Sequence, residues 1–278
     1  MIILVIFALM AVFAPLIMDL FALIGGWDHG WGPFEVVSLD NDGAPPSKNH
    51  WLGTDSHGTD ILARIIYGTR VSLEVGIVAT IVSMGLGAAV GLLSGFWGGL
   101  RDEVLMRVTD VFLVIPWLAL MIVLATLMPG GATVSKVIFV IGITGWSSTA
   151  RIVRAQVFSV KERAFIERAR AIGAGDAHIV RKHVFPNVFP LVFANSILTV
   201  ALSILSESTL SFIQLGPDSS RIVTWGNILG DADQGFAIAQ ELYWWVIAPG
   251  LCIVFLVMGF AFIGYALDEI FNPKLRKR

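Results

Sequence analysis

Apolar residues gather in six long runs. Met1 to about Ile24 is interrupted only by Asp19, and Val75 to about Phe96 carries no charge. Val111 to Met128, Val137 to about Ala150, Val188 to about Ile213 and Trp244 to Leu267 follow, the fifth holding Glu207. A helix needs about 20 mostly apolar residues to cross a hydrocarbon core of about 30 Å. The runs are continuous, not alternating in ten-residue units, so they predict membrane-spanning helices and exclude barrel strands. The first has the length of a span and no basic flank, which reads as an uncleaved helix rather than a signal peptide. Ahead of the second run, Ile61, Leu62, Ile65 and Ile66 recur at helical spacing. They predict a short helix lying on the interface, anchored by Trp51 and Tyr67.

Composition agrees. Of 278 residues, 56% are hydrophobic and 14% charged, against about 25% charged in a soluble domain. An extracellular enzyme, a nucleic-acid binder and a disordered hub are thereby disfavoured. The single cysteine, Cys252, lies in an apolar run; it allows no intrachain disulfide framework or cysteine-clustered metal site. Charge sets the orientation. Residues 151–187 hold eight basic side chains, the turn after the second run adds Arg101 and Arg107, and the tail adds Lys274, Arg276, Lys277 and Arg278. With six spans and both termini inside, 14 of the 19 basic residues face the cytoplasm, as the positive-inside rule requires. The expected organisation is an all-α polytopic chain. Residues 1–25 form a first transmembrane helix and 26–72 an extracytoplasmic loop with a short interfacial helix. Residues 73–278 form a core of five further spans with a cytoplasmic loop at 156–187.

Gly87, Gly91, Gly95 and Gly99 repeat every fourth residue, a stripe that lets another backbone approach closely. Glu207 is an ionisable group at membrane depth, which needs a reason. It lines a polar path or gate, or it is a structural carboxylate held by the neighbouring hydroxyls of Ser206, Ser208 and Thr209. Pro116 and Pro249 are expected to bend their helices, and Arg107 and Asp110 to pair at the inner interface. His29, His50 and His57 share a loop with several aspartates, and Asp40-x-Asp42-Gly43 has a trace of a calcium loop, but neither pattern is complete. No metal site is predicted. Ser206 and Ser208 lack a histidine base at their depth, so no catalytic residue is assigned.

The stretch from Lys161 to Gly175 is not a span. It is rich in helix formers up to Gly173, after which Gly173 and Gly175 turn the chain. Asp176 then caps a second short helix that ends before Pro186. Such a helix–turn–helix touches anionic lipid, or it is a rigid knob that docks into another protein.

Glu167-x-Ala169-x-x-x-Gly173, followed by Pro186, resembles the cytoplasmic "EAA" loop of ABC importer permeases. More specifically, the chain is similar to the second, C-type permease of dipeptide, oligopeptide and nickel importers. Further pieces come in the family's order: Gly53-Thr54-Asp55-x-x-Gly58-x-Asp60, Tyr67-Gly68-x-Arg70-x-Ser72-Leu73, Gly95-Phe96-x-Gly98-Gly99 and Asp110 with Pro116. Arg151-x-x-Arg154-x-Gln156, His183-x-x-Pro186-Asn187, Glu207-x-x-Leu210-Ser211-Phe212 and Trp225-Gly226-Asn227 complete the series. The chain departs at Arg168, where the motif has its middle alanine, at Thr59, usually arginine, and at Ala63, often serine.

The resemblance implies a type I ABC importer permease fold and one half of a heterodimeric pore. The expected partners are a second homologous permease, two ATP-binding subunits, an extracytoplasmic substrate-binding protein and membrane lipid, with no nucleic acid. No cofactor is expected on this chain; ATP and Mg are used by the partner subunits, in line with the absence of a Walker loop. The coupling loop is assigned to Glu167, Ala169, Ala171, Gly173, Ala174 and Pro186. Asp55, Asp60, Trp225 and Asp231 are expected to meet the binding protein. Peptide is the expected cargo, with nickel complexes or oligosaccharides as alternatives. A proton-coupled carrier using Glu207 is the rival mechanism.

Overall fold

The computed structural model describes residues 1–26, 30–36 and 43–271. His29, the Asp40–Asp42 pair and the basic tail from Lys274 lie outside them. The described residues form eleven α-helices and no strand. Four helices are apolar and long enough to cross a membrane: α1 (Ile2–Gly25), α2 (Ile61–Trp97), the stretch Asp176–Phe212 and Tyr243–Leu267 within α11 (Tyr243–Phe271). Two bent pairs, α3–α4 and α5–α6, bring the number to six if each counts as one span.

Several expectations change. The short interfacial helix is not separate. Ile61 to Arg70 is the first part of α2, whose 37 residues extend about 55 Å at 1.5 Å per residue. No proline interrupts it, and the boundary expected at residues 72 and 73 falls inside it. The third run is not a straight span either. α3 (Gly99–Val114) and α4 (Trp117–Leu127) meet at 94°. Ile115 is extended, with ψ 129°, because the ring of Pro116 excludes helical geometry from the preceding residue. α5 (Val134–Thr144) and α6 (Trp146–Lys161) bend by 41° at Gly145.

The chain continues through α7 (Ala164–Ala171) and α8 (Asp176–Ile179). The helix after Asp176 does not stop before Pro186. It runs through a π-helical turn at Val180–Val184 into α9 (Phe185–Phe212). The wider turn closes with Phe185 N–H donating to Val180 O. α10 (Trp225–Gln234) precedes α11 and is capped by the Thr224 hydroxyl, which accepts from Asn227 N–H.

The chain divides into two compact units. The first comprises Met1–Ile77, Ala125–Ile138 and Ala201–Phe260, the second Val78–Leu124, Phe139–Val200 and Ala261–Arg278. In the first, Ala14 and Met18 of α1 pack on Ala63 and Ile66 of α2. In the second, Phe96, Val153, Val157 and Val160 form one core with Ile166, Ala169, Ile179, Val184 and Val188.

Candidate functional site

In the second unit, the glycines of α2 set how closely α6 lies. A Cβ on Gly87, Gly91 or Gly95 would come within 2.7, 2.6 and 2.8 Å of atoms of Thr149 or Trp146, Ala150 and Val157 respectively. Gly99, the fourth residue of the predicted stripe, is not part of it. Gly98 and Gly99 both have positive φ, and nothing lies within 4 Å of either Cβ position. The chain leaves α2 at this point, so Gly99 serves the turn into α3. Arg154 of α6 clamps Asp102 of α3 with two 2.6 Å bonds, a bidentate geometry that fixes orientation as well as distance. Asp110 pairs with Arg151 at 2.5 Å rather than with Arg107, because α6 brings a guanidinium across to it. Lys161 caps the close approach by donating to the Gly95 carbonyl at 3.0 Å.

The loop after α6 is built on this frame. α7 ends in a left-handed turn: Gly173 has φ 86°, its N–H donates to Arg170 O at 2.9 Å, and Ala174 N–H donates to Ala169 O at 3.0 Å. This is a Schellman closure, which a Cβ-bearing residue at Gly173 would strain. The predicted loop residues separate by face. Glu167, Ala171, Gly173 and Pro186 are exposed, whereas Ala169 is buried in the unit's core and Ala174 packs against it. Ile166, Ile179 and Val184 turn inward beside them. The loop thus shares a core with α6 and α9 and has an outer face of small and charged residues together with Ile172.

In the first unit, scattered motifs meet. Glu207 is fully buried. Its Oε1 accepts from the Ser211 hydroxyl at 2.7 Å, and its Oε2 from Ser72 at 3.3 Å and Ser208 at 3.5 Å. The Thr224 hydroxyl is a fourth partner. Ser72 in turn accepts from Trp225 N–H at 3.2 Å, and Trp225 Nε1 donates to Ile65 O at 3.0 Å. Gly226 lets α10 sit against Ser208, where a Cβ would be 2.6 Å from the Ser208 backbone. Asn227 closes the preceding loop through Pro217 O and Ile222 O at 3.0 and 3.1 Å.

A second buried cluster lies in the same unit. Asp60 caps α2, accepting from Ala63 N–H at 2.8 Å, while its other oxygen meets His50 Nδ1 at 2.8 Å. Asp55 accepts from His57 and Thr59 N–H at 2.9 Å each and from the Thr59 hydroxyl. Arg64 bridges Asp55 at 2.8 Å and Asp231 at 2.5 Å. Gly53 turns with φ 75°, and the place of its Cβ is taken by Ala44 O and the Trp244 ring. The burial of Asp55, Asp60 and Trp225 does not fit their reading as contacts for a partner protein, while Asp231 remains partly exposed and is held by Arg64. The carboxylates of Asp55 and Asp60 and the ring of Trp225 are engaged inside the unit. Sequence reasoning did not find Arg64, although a lone cation among the apolar residues of α2's first turns was the available signal. Ser72 and Ser211 stood within motifs without a role, and Thr224 lay just ahead of one. Among the described residues, no group of three or more His, Cys, Asp or Glu is arranged to hold a metal.

The family model described as "Binding-protein-dependent transport system inner membrane component" matches residues 87–277. The oligopeptide transport system permease protein OppC of Bacillus subtilis is 33% identical over 277 residues, which is 100% of this chain and 85% of that protein. The dipeptide transport system permease protein DppC of the same organism is 33% identical, covering 97% of this chain and 82% of its own length. The glutathione transport system permease protein GsiD of Pectobacterium atrosepticum is also 33% identical, covering 96% and 87%. Among solved structures, a chain of the MetNI methionine ABC transporter in an inward-facing form superposes with a TM-score of 0.58. That match has 18% identity and covers 77% of this chain and 97% of that one.

Proposed function

The chain belongs to the binding-protein-dependent transport system inner membrane components, and on that footing we propose that it forms half of the translocation path of an importer of di- and oligopeptides. As a family member it is a multi-pass membrane permease of an ABC importer and carries no catalytic activity of its own. Peptide cargo is supported by the names of the relatives, which transport oligopeptides, dipeptides or glutathione. The other half of the path would be a second homologous permease. Two ATP-binding subunits would use ATP and Mg, and an extracytoplasmic binding protein would deliver cargo.

The observation that carries the mechanism is the packed loop between α6 and α9. Its basic residues belong to the positive-inside set, so it faces the cytoplasm, where the ATPases act. Because its inner side shares a core with α6 and α9, a push on the loop is delivered to both helices rather than absorbed by a flexible linker. Closure of the ATPases on ATP would thus bias the helices between two arrangements, and the permease need only respond to that bias.

The alternative of a proton-driven carrier is less well supported. Glu207 is surrounded by hydroxyls of Ser72, Ser208, Ser211 and Thr224, and a relay needs a chain of ionisable partners. Hydroxyl donors on both carboxylate oxygens suit a structural joint between α2, α9 and the start of α10.

The test is purification from native membranes in mild detergent, identification of the bound subunits, and reconstitution into vesicles loaded with ATP. ATP-dependent uptake of di- or oligopeptides in the presence of the binding protein is the expected result. Uptake driven by a proton gradient without ATPases would overturn the proposal.

A further inference from the structure

Ile172 is 88% exposed, the highest exposure of any large apolar side chain among the described residues. Others, such as Leu23 and Val114, lie on helices α1 and α3 of the candidate spans, where lipid would cover them, and Phe236 and Ile238 lie between α10 and α11. Ile172 is on no candidate span. It stands at the tip of the cytoplasmic loop, between the last residue of α7 and the left-handed Gly173. Every other branched aliphatic residue of α7 and α8 is buried: Ile166 and Ile179 are at 0% exposure.

The position is held rather than incidental. The closing bonds from Gly173 to Arg170 O and from Ala174 to Ala169 O draw Ala169 and Ala174 toward the core. A turn of this kind packs the residues on either side inward and throws the cap residue outward. No Cβ contact lies within 4 Å of Gly173, so the tip stands clear of the protein around it. Nearby, Arg163, Arg168, Arg170, Arg181 and Lys182 are exposed against Glu162, Glu167 and Asp176. The exposed charges of the loop that carries the isoleucine are therefore net basic.

We infer that Ile172 is the apolar anchor by which this permease engages its ATPase subunit, filling an apolar pocket rimmed by carboxylates. The inference rests on the reading of the loop as the coupling element and adds to it the residue that carries the contact and the chemistry of its receptor. A protruding side chain in a fixed turn loses little freedom on docking, and one anchor desolvated at the centre of a small interface dominates its affinity. The basic rim selects the acidic receptor and speeds encounter.

The experiment titrates the ATPase subunits onto the assembled permeases in nanodiscs of neutral phosphatidylcholine. Variants Ile172→Ser, Ile172→Leu and a Gly-Ser replacement of residues 164–175 are compared, with ATP hydrolysis and peptide uptake measured alongside. Ile172→Ser should weaken binding about tenfold or more, Ile172→Leu should stay within about threefold, and the Gly-Ser replacement should abolish coupling. If Ile172→Ser binds and couples as the parent does while the Gly-Ser replacement fails, the anchor is wrong and the coupling loop stands. If the Gly-Ser replacement also binds and couples normally, the loop reading falls and the anchor with it. Ile172→Trp, placed in discs containing brominated phosphatidylglycerol, covers the remaining occupant. Strong quenching that persists when ATPase is added would assign the tip to lipid and overturn the proposal.

Discussion

Gly91→Ala should force α2 and α6 apart. The added methyl would sit 2.6 Å from the Ala150 carbonyl oxygen and 2.7 Å from Val153 Cβ, whereas ordinary contact begins at 3.4 Å. The shortfall is about 0.8 Å, and neither neighbour is the free end of a flexible side chain. The helices must separate, and a gap of 0.5–1 Å forfeits roughly a quarter to a half of each van der Waals well along the seam. Helix association in a membrane leans on those contacts, because lipid chains are as apolar as the interface. Overpacking of this kind costs about 1–3 kcal/mol. Two controls separate packing from backbone effects. Gly85→Ala lies in the same helix with nothing within 4 Å, and should be neutral or more stable by up to about 1 kcal/mol from helix propensity. Gly99→Ala has open space but φ 59°, and should lose about 1 kcal/mol to backbone strain alone. The assay is reversible unfolding of the purified protein in mixed detergent micelles, followed by tryptophan fluorescence. If Gly91→Ala unfolds within about 0.5 kcal/mol of Gly85→Ala, the glycines do not set the helix distance and the reasoning is wrong.

Arg64→Met should cost about 3–5 kcal/mol, because it leaves Asp55 and Asp231 without their shared cation; a monodisperse, equally stable variant on size-exclusion chromatography and thermal unfolding would contradict this. Glu207→Leu should destabilise by about 2–4 kcal/mol by stranding the hydroxyls of Ser72, Ser211 and Thr224. Glu207→Gln, which keeps an acceptor, should lose less than half as much in the same unfolding assay and should retain ATP-driven uptake. Gly173→Val should leave membrane insertion intact but uncouple ATP hydrolysis from uptake, since a β-branched residue resists φ 86°. Gly173→Asn should keep most of the coupling, because asparagine tolerates the left-handed region; equal coupling by both variants would show that the turn geometry is not what matters.

Much of the candidate site was legible as order along the chain but not as arrangement. The pieces around Gly53–Asp60, Ser72, Glu207 and Trp225–Asn227 each carried a weak signal, and their order made the resemblance specific. What each piece does came only from contact. Asp60 is a helix cap, Asp55 a turn and ion-pair residue, Trp225 a buried donor to Ile65 O and Gly226 a point of backbone approach. Asp55, Asp60 and Trp225 read as surface contacts because polar residues in a loop look exposed until the partners that bury them are known. A Cβ has no room at Gly87, Gly91 and Gly95 but open space at Gly99; spacing alone does not say where a helix ends.

The sequence by itself determined the number and placement of the apolar runs, the bend at Pro116 and the family. Those properties follow from local chemistry: hydropathy over about 20 residues, the steric demand of one ring and the order of short motifs. Only the tertiary structure decided which face of each helix is interior. In a membrane both faces are apolar, so periodicity does not mark the core as it does in water. It also decided that Glu207 is ringed by hydroxyls, that Arg64 joins two aspartates far apart in sequence, and that Ala169 turns in while Ile172 turns out. Glu207 meets Ser72 and Arg64 meets Asp231 across long separations of chain, and no short window of sequence contains those partners.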